Sequence, residues 1–315
     1  MELKMRPAQI ANMVFLALTL AVLSVYVPLL SLLNLLIVVP YVIVGASNNK
    51  VSVLTVAFTF AILLIFTDIS YALNICIAFA VPGILIGKMM YSSINKEDSN
   101  KYSPIFWGTI VFMITLVIYT FIAQKFMSID LMGDMTKTIK EAMQLYTTEP
   151  TLKDLHLFGD MTTDEIVKYF TNTISTMLFA RGLVWAVIVY YLSAFVINKK
   201  FKAEIDFPKF AEFYLPGQTV IVACLIYILF MLLDYAGLGI KTDIILMNLE
   251  MVFYMLFFLQ GVALYVHYVK AWIANKRSRT IFILIFVLLL FGFLGVAFIG
   301  VMDSIINLRK VRRIS

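Results

Sequence analysis

The chain has 315 residues, of which 62% are hydrophobic and only 14% charged, with a net charge of +6. A water-soluble domain averages ~45–50% apolar and ~25% charged residues, so this composition excludes an ordinary soluble fold and points to a lipid solvent. The two cysteines, Cys76 and Cys224, both fall inside apolar runs, which excludes a disulfide framework or a thiolate metal site. Because basic residues in membrane proteins mark the cytoplasmic side, the positive charge argues orientation and not nucleic-acid binding.

Nine apolar runs follow one another at 9–27, 29–46, 51–67, 69–90, 104–124, 173–197, 216–235, 244–269 and 280–302. A helix needs ~20 apolar residues to cross a ~30 Å hydrocarbon core, because every backbone polar group must be paired internally. The expectation is an all-α, polytopic transmembrane helical bundle of eight to nine spans. Lys4 and Arg6 precede the first run without a cleavage pattern, so that run reads as a retained helix rather than a signal peptide. Basic clusters at Lys4/Arg6, Lys50, Lys88/Lys96/Lys101, Lys199/Lys200/Lys202/Lys209 and Lys270/Lys276/Arg277/Arg279 fall on alternate loops. They place the N-terminus in the cytoplasm, in a multi-pass topology.

Residues 125–172 form the long exterior connection. Met132, Met135, Ile139, Met143 and Tyr146 recur at helical spacing, predicting an amphipathic helix over 130–147 that ends by Pro150. Thr162 and Glu165 form a capping-box pattern that starts a second helix, one able to continue unbroken into the sixth run. This connection reads either as a solvated connector or as a lid over an exterior cavity. On the inner side, 199–215 mixes lysines with Phe201, Phe207, Phe210, Phe213 and Tyr214, suiting an interfacial anchor or a docking surface. The ninth run is either one crossing, the simpler reading, or a re-entrant segment breaking near Gly292 and Gly295. The side of the basic C-terminus stays open. Two domains follow: 1–198 as a six-helix unit including the exterior segment, and 199–315 as the cytoplasmic loop, two or three further helices and the tail.

Polar residues inside the runs are the informative ones. Asp68, Arg181, Asp234 and Glu250 lie at a common level: Lys50 to Asp68, Arg181 to Lys199 and Pro216 to Asp234 each cover 18 residues, roughly 27 Å. They read either as charges gathered at the outer hydrocarbon boundary or as the mouth of a substrate-binding pocket, with Arg181 and Glu250 central. Asn74 and Gln260 lie deeper, where neutral amides bond to neighbouring helices. Gly83 and Gly87, like Ala17 and Ala21, have the small-x-x-x-small spacing of helix packing. The stretch Gly83–Lys88 is one residue short of a phosphate loop and has Met89 where Ser or Thr belongs. No catalytic or metal-binding motif is visible, so the sequence predicts no enzyme and no cofactor. The partners expected are the lipid bilayer and, in addition, a small solute or a membrane partner.

Several landmarks in order support a resemblance: Pro28 after the first run, Pro40 in the second, Pro82-Gly83 with Gly87 in the fourth, Gln260-Gly261 in the eighth, and Gly300-x-x-Asp303 leading to Arg309-Lys310. Together they resemble the YybS-like family of bacterial predicted membrane proteins, a domain of unknown function. That family is held to be distantly similar to the S components of energy-coupling-factor transporters, which capture a small molecule from outside and dock on a transmembrane coupling subunit. The resemblance implies an S-component-like arrangement of the first six helices, with Ala17 and Ala21 matching the small-residue docking pattern. The chain departs from that plan by its extra helices and its 125–172 segment. The runner-up function is a membrane scaffold or regulatory protein that docks a partner through its basic loops.

Overall fold

The computed structural model describes residues 5–27, 29, 34–47, 50–95, 101–148, 161–201, 207–215, 218–237, 241–272 and 277–309. The expected junction at Pro28, the stop at Pro150 and the tail beyond Arg309 lie outside them. Among the described residues every regular element is helical. The chain divides into two compact units, Met1–Thr171 with Arg181–Phe207, and Asn172–Ala180 with Pro208–Ser315.

In the first unit α1 is Pro7–Tyr26, opened by Pro7 in the first helical turn and by the Gln9 amide oxygen, which accepts the Arg6 N–H at 2.9 Å. Next come α2 (Leu35–Ala46) and α3 (Leu54–Phe66). α2 has 12 residues, roughly 18 Å, and every residue from Ile37 to Ala46 is buried. It is a core element too short to cross a bilayer alone. One continuous rod then runs through α4 (Ile69–Asn74), a π-helical stretch (Ile75–Ala80) and α5 (Val81–Asn95). Its widening has a cause in the sequence. Pro82 has no N–H to give the carbonyl four residues back, and its ring crowds that carbonyl. The preceding Val81 N–H bonds instead to the Cys76 carbonyl, five residues back.

α2 packs against α5 through glycine. A Cβ on Gly83 would meet Tyr41 Cβ at 2.7 Å, while one on Gly87 would run into the backbone of Val42 and Ala46. Gly45 returns the contact against the Ile84 backbone. The absence of side chains lets the two backbones touch and gain dispersion contacts that larger residues would prevent. These contacts climb both helices together, so α2 and α5 run parallel.

α6 (Ser103–Met127) starts with Pro104 and stops at Ser128, whose φ of 57° is left-handed. The long connection after the fifth run follows as α7 (Leu131–Thr148) and α8 (Thr163–Asn172). In α7, Met143 is buried and Met135, Ile139 and Tyr146 are half-buried, on the face opposite the Lys137–Glu141 pair. At α8 the Thr162 N–H donates to Glu165 Oε2 at 2.8 Å, and the Glu165 N–H donates to Thr162 Oγ1 at 3.3 Å. α8 does not continue directly into the next helix: it ends at Asn172, and α9 is Ile174–Phe201.

The second unit contains the start of α9, α10 (Thr219–Tyr235), α11 (Thr242–Trp272) and α12 (Arg277–Ile306). α12 is not one straight crossing helix. At Gly292 the backbone takes φ 61° and ψ 177°, a region open essentially to glycine alone. Beyond the break, Phe258 faces Phe293, Gly261 meets Val296, and the Tyr268 hydroxyl donates to the Leu308 carbonyl. Both partners advance together, so the segment after Gly292 runs parallel to α11. The segment Arg277–Phe291 covers the ~22 Å that α11 travels in its last fifteen residues. The path is that of a hairpin, and it returns Leu308 to the end of α11 that carries Lys270.

Among the described residues five helical stretches are long and apolar enough to cross a membrane: Pro7–Tyr26, Ile69–Ser93, Ser103–Met127, Ile174–Phe201 and Thr242–Lys270. The apolar runs 29–46, 51–67 and 216–235 yield the shorter helices α2, α3 and α10, and the ninth run is cut at Gly292. α2 is sheathed by protein rather than lipid, where a short helix meets no hydrocarbon penalty.

Candidate functional site

Arg181 is the first residue of the part of α9 that belongs to the first unit. Its guanidinium stacks on the ring of Trp185, one turn further on, at 4.4 Å from the centroid. Trp185 is itself braced by Phe79 at 5.5 Å and by Phe112, edge-on, at 5.6 Å. Phe79 comes from the π-helical stretch and Phe112 from α6, both buried. The close approach of α6 and α9 behind this cluster depends on Gly182, where a Cβ would come within 2.9 Å of the Thr109 carbonyl. The result is an exposed cation held flat against an aromatic wall. Arg181 has no carboxylate partner among the described residues. Stacking leaves the in-plane N–H groups free, the geometry that takes a carboxylate or phosphate in bidentate fashion.

The other three ionisable residues have separate surroundings. Asp68 caps α4, its Oδ1 accepting the Tyr71 N–H at 2.8 Å. In the second unit Asp234 Oδ1 accepts a short hydrogen bond from the Thr242 hydroxyl, tying the end of α10 to the start of α11. Glu250 is exposed on α11 with no hydrogen-bond or ion-pair partner among the described residues. Asp68 and Asp234 therefore spend their carboxylates on helix ends, and Arg181 is the one with an assembled wall behind it.

Among the deeper residues, Ala17 and Ala21 are fully buried within the first unit, where the Tyr71 hydroxyl donates to the Ala21 carbonyl at 2.8 Å. They are covered by the unit itself and leave no small-residue face of α1 for a partner. Asn74 is half-buried at the head of the π-helical stretch, without a hydrogen bond among the described residues. Gln260 is wholly buried and forms the middle of a polar cluster. Its Oε1 accepts the Leu215 N–H at 3.1 Å and the Ser304 hydroxyl at 2.9 Å, while its Nε2 donates to Asp303 Oδ2 at 2.9 Å.

The rest of that cluster was invisible to the reading by runs. Arg309 Nη2 sits 2.7 Å from Asp303 Oδ2, with both side chains wholly buried. The same guanidinium donates to the carbonyls of Ala211 at 2.8 Å and Phe213 at 2.7 Å. The Tyr214 hydroxyl donates to the carbonyls of Asp303 and Ser304. Asn248 was missed as well. Its amide accepts the Thr176 N–H and hydroxyl and donates to the Asn172 carbonyl, bridging the short gap between α8 and α9. The available signal was polarity without a loop to explain it, in Asn248 amid Met247 and Leu249 and in Asp303 after Met302. The aromatic residues of 207–215 also turn inward: Phe207 packs edge-on to Tyr190, and Phe213 is buried. Exposed there are Lys209 and Glu212.

No group of three or more His, Cys, Asp or Glu side chains could hold a metal among the described residues. A cavity of about 960 Å³ opens between α1 and α3, lined by residues such as Phe15, Leu18, Val22, Phe58 and Ile62. Its lining is almost wholly apolar, so it suits hydrocarbon and lacks groups to orient a polar solute.

No curated protein and no solved structure matches the chain. The family described as predicted membrane protein (DUF2232) matches residues 15–304, nearly the whole length, in keeping with the membrane family that the ordered Pro, Gly and Gln landmarks resemble. The apolar helices, the lipid-facing surface and this match agree, and the chain belongs to the predicted membrane protein family DUF2232.

Proposed function

We propose that the first unit captures a small anionic solute, a carboxylate or phosphate, at Arg181, from the outer side of a bacterial cytoplasmic membrane in which the N-terminus is cytoplasmic. The supporting observation is the guanidinium stacked 4.4 Å over Trp185, with Phe79 and Phe112 behind it and no acid paired to it among the described residues. A cation so placed is pre-oriented by its stacking on Trp185, so a ligand pays little ordering cost. No chemistry beyond binding is asked of it, and the reading is of a non-enzyme. Capture would follow the S-component plan that the sequence landmarks resemble. With Ala17 and Ala21 enclosed, a coupling subunit would have to meet another face, such as the one bearing the exposed Phe15 and Leu16. The test titrates purified protein in neutral detergent with succinate and, separately, inorganic phosphate while following tryptophan emission. A saturable change lost in Arg181→Ala and weakened in Arg181→Lys supports capture; identical curves for wild type and Arg181→Ala refute it.

A second reading, a scaffold that docks a partner on its basic face, draws on the fixed conformation of Pro208–Leu215 under Arg309. Photocrosslinking from Lys209, which is exposed, separates the two. A discrete soluble partner favours the scaffold, and a transmembrane partner favours coupled capture.

A further inference from the structure

The cluster around Arg309 belongs to the second unit, and solute capture at Arg181 makes no use of it. Three chain segments distant in sequence converge there: the mid-portion of α11 through Gln260, the end of α12 through Asp303 and Ser304, and the stretch Ala211–Leu215. Arg309 lies beyond the helix stop, where Asn307 takes a left-handed φ of 53°. It is held by side-chain bonds and not by helical ones. It spends Nε and Nη2 on Asp303 and Nη1 and Nη2 on the carbonyls of Ala211 and Phe213. One oxygen of the pair, Asp303 Oδ1, is buried with no hydrogen-bond partner among the described residues.

We propose that Asp303 and Arg309 form a charge latch that clasps the returning limb of the C-terminal hairpin onto the Pro208–Leu215 segment, and that opening it frees this segment while the helices stay folded. Burying two charges costs about as much as their attraction returns, so such a contact specifies geometry strongly while contributing modest net stability. The unpaired Oδ1 lowers the net gain further. The stretch contains only one short turn, and Arg309 bonds two of its carbonyls, beside the Leu215 N–H bond to Gln260 and the Tyr214 hydroxyl bonds to Asp303 and Ser304.

The experiment places a cysteine reporter at Ala211, which is buried, in a Cys76→Ala, Cys224→Ser background, and a second at the buried Ala186. Labelling by an impermeant maleimide is timed on the full-length, detergent-solubilised protein. Arg309→Met should accelerate labelling at Ala211 by at least tenfold, and Arg309→Lys less, because one ammonium cannot span the carboxylate and both carbonyls. Should Arg309→Met fail to fold, Asp303→Leu with Arg309→Met removes both buried charges and still lacks donors for the carbonyls. The expected result is fast labelling at Ala211 with Ala186 unchanged. A rate at Ala211 within twofold of the parent, or equal acceleration at both reporters, overturns the latch.

Discussion

The pairing of α2 with α5 and the pairing of α11 with α12 solve the same problem by different physics. Both bring helices into backbone contact over glycines: Gly45, Gly83 and Gly87 in one, Gly261 and Gly300 in the other. In the first the contact is finished by apolar surface, with Ile37, Val38, Tyr41 and Val42 fully buried around it. In the second it is finished by a buried ion pair, an amide and two hydroxyls. Apolar packing in lipid is tolerant, because lipid tails are as apolar as the side chains they replace and partners gain only by fit. A buried charge network is intolerant: its parts are each costly alone and acceptable only together. The first region should therefore yield gradually to mutation and the second abruptly.

The largest test of that contrast is Arg309→Ala. It leaves the Asp303 carboxylate and two carbonyls buried without their donor, and should destabilise the second unit by about 3–5 kcal/mol. Chemical denaturation in mixed micelles checks it; a loss below 1 kcal/mol would show that water already reaches the cluster. Gly87→Ala comes next. The new Cβ meets the backbone of Val42 and Ala46, which cannot swing aside as a side chain does, and the expected cost is about 1–3 kcal/mol of overpacking. Gly261→Ala faces the Val296 carbonyl in the same way, so similar losses at both sites would show that the glycine seams are equivalent and only the polar finish differs. Gly292→Ala isolates the hairpin. Nothing lies within 4 Å of the new Cβ, so a cost of about 1–3 kcal/mol would come from backbone strain at φ 61° alone. A neutral result would mean the break relaxes to a straight helix.

The smallest effect lies outside both seams and sets the baseline. The backbone N–H of Thr162, and then its hydroxyl, hold the Glu165 carboxyl below its ordinary value of 4.5. A depressed carboxylate stabilises the cap fully above that ordinary value, and the contribution fades as pH falls through the lowered folded value. Hydrogen exchange at the first turn of α8 should therefore accelerate below pH 4.5 relative to Glu165→Gln, with α11 unaffected. Equal exchange in both proteins across the acid range would remove the cap from the account.

Some of this was legible beforehand because it depends on neighbours in sequence. The capping pair Thr162 and Glu165, the amphipathic face of α7 and the apolar runs themselves are local patterns of spacing and polarity. The break at Gly292 was named as one of two outcomes, since glycine permits it without requiring it. What lay beyond reach was pairing. The four outer charges share a depth along their helices, and depth says nothing of azimuth, so Asp68 and Asp234 turned to helix ends while Arg181 met an indole.

The sequence by itself determined that lipid is the solvent, which stretches are helical, and which face of the exterior helix is apolar, because hydrophobic length and period act one residue at a time. Only the tertiary structure decided that α2 is a sheathed half-helix, that the last segment returns alongside α11, and that Arg309 closes on Asp303. Those outcomes depend on which backbones touch. A glycine announces that a close approach is possible, and the partner that takes it up is chosen by the whole fold.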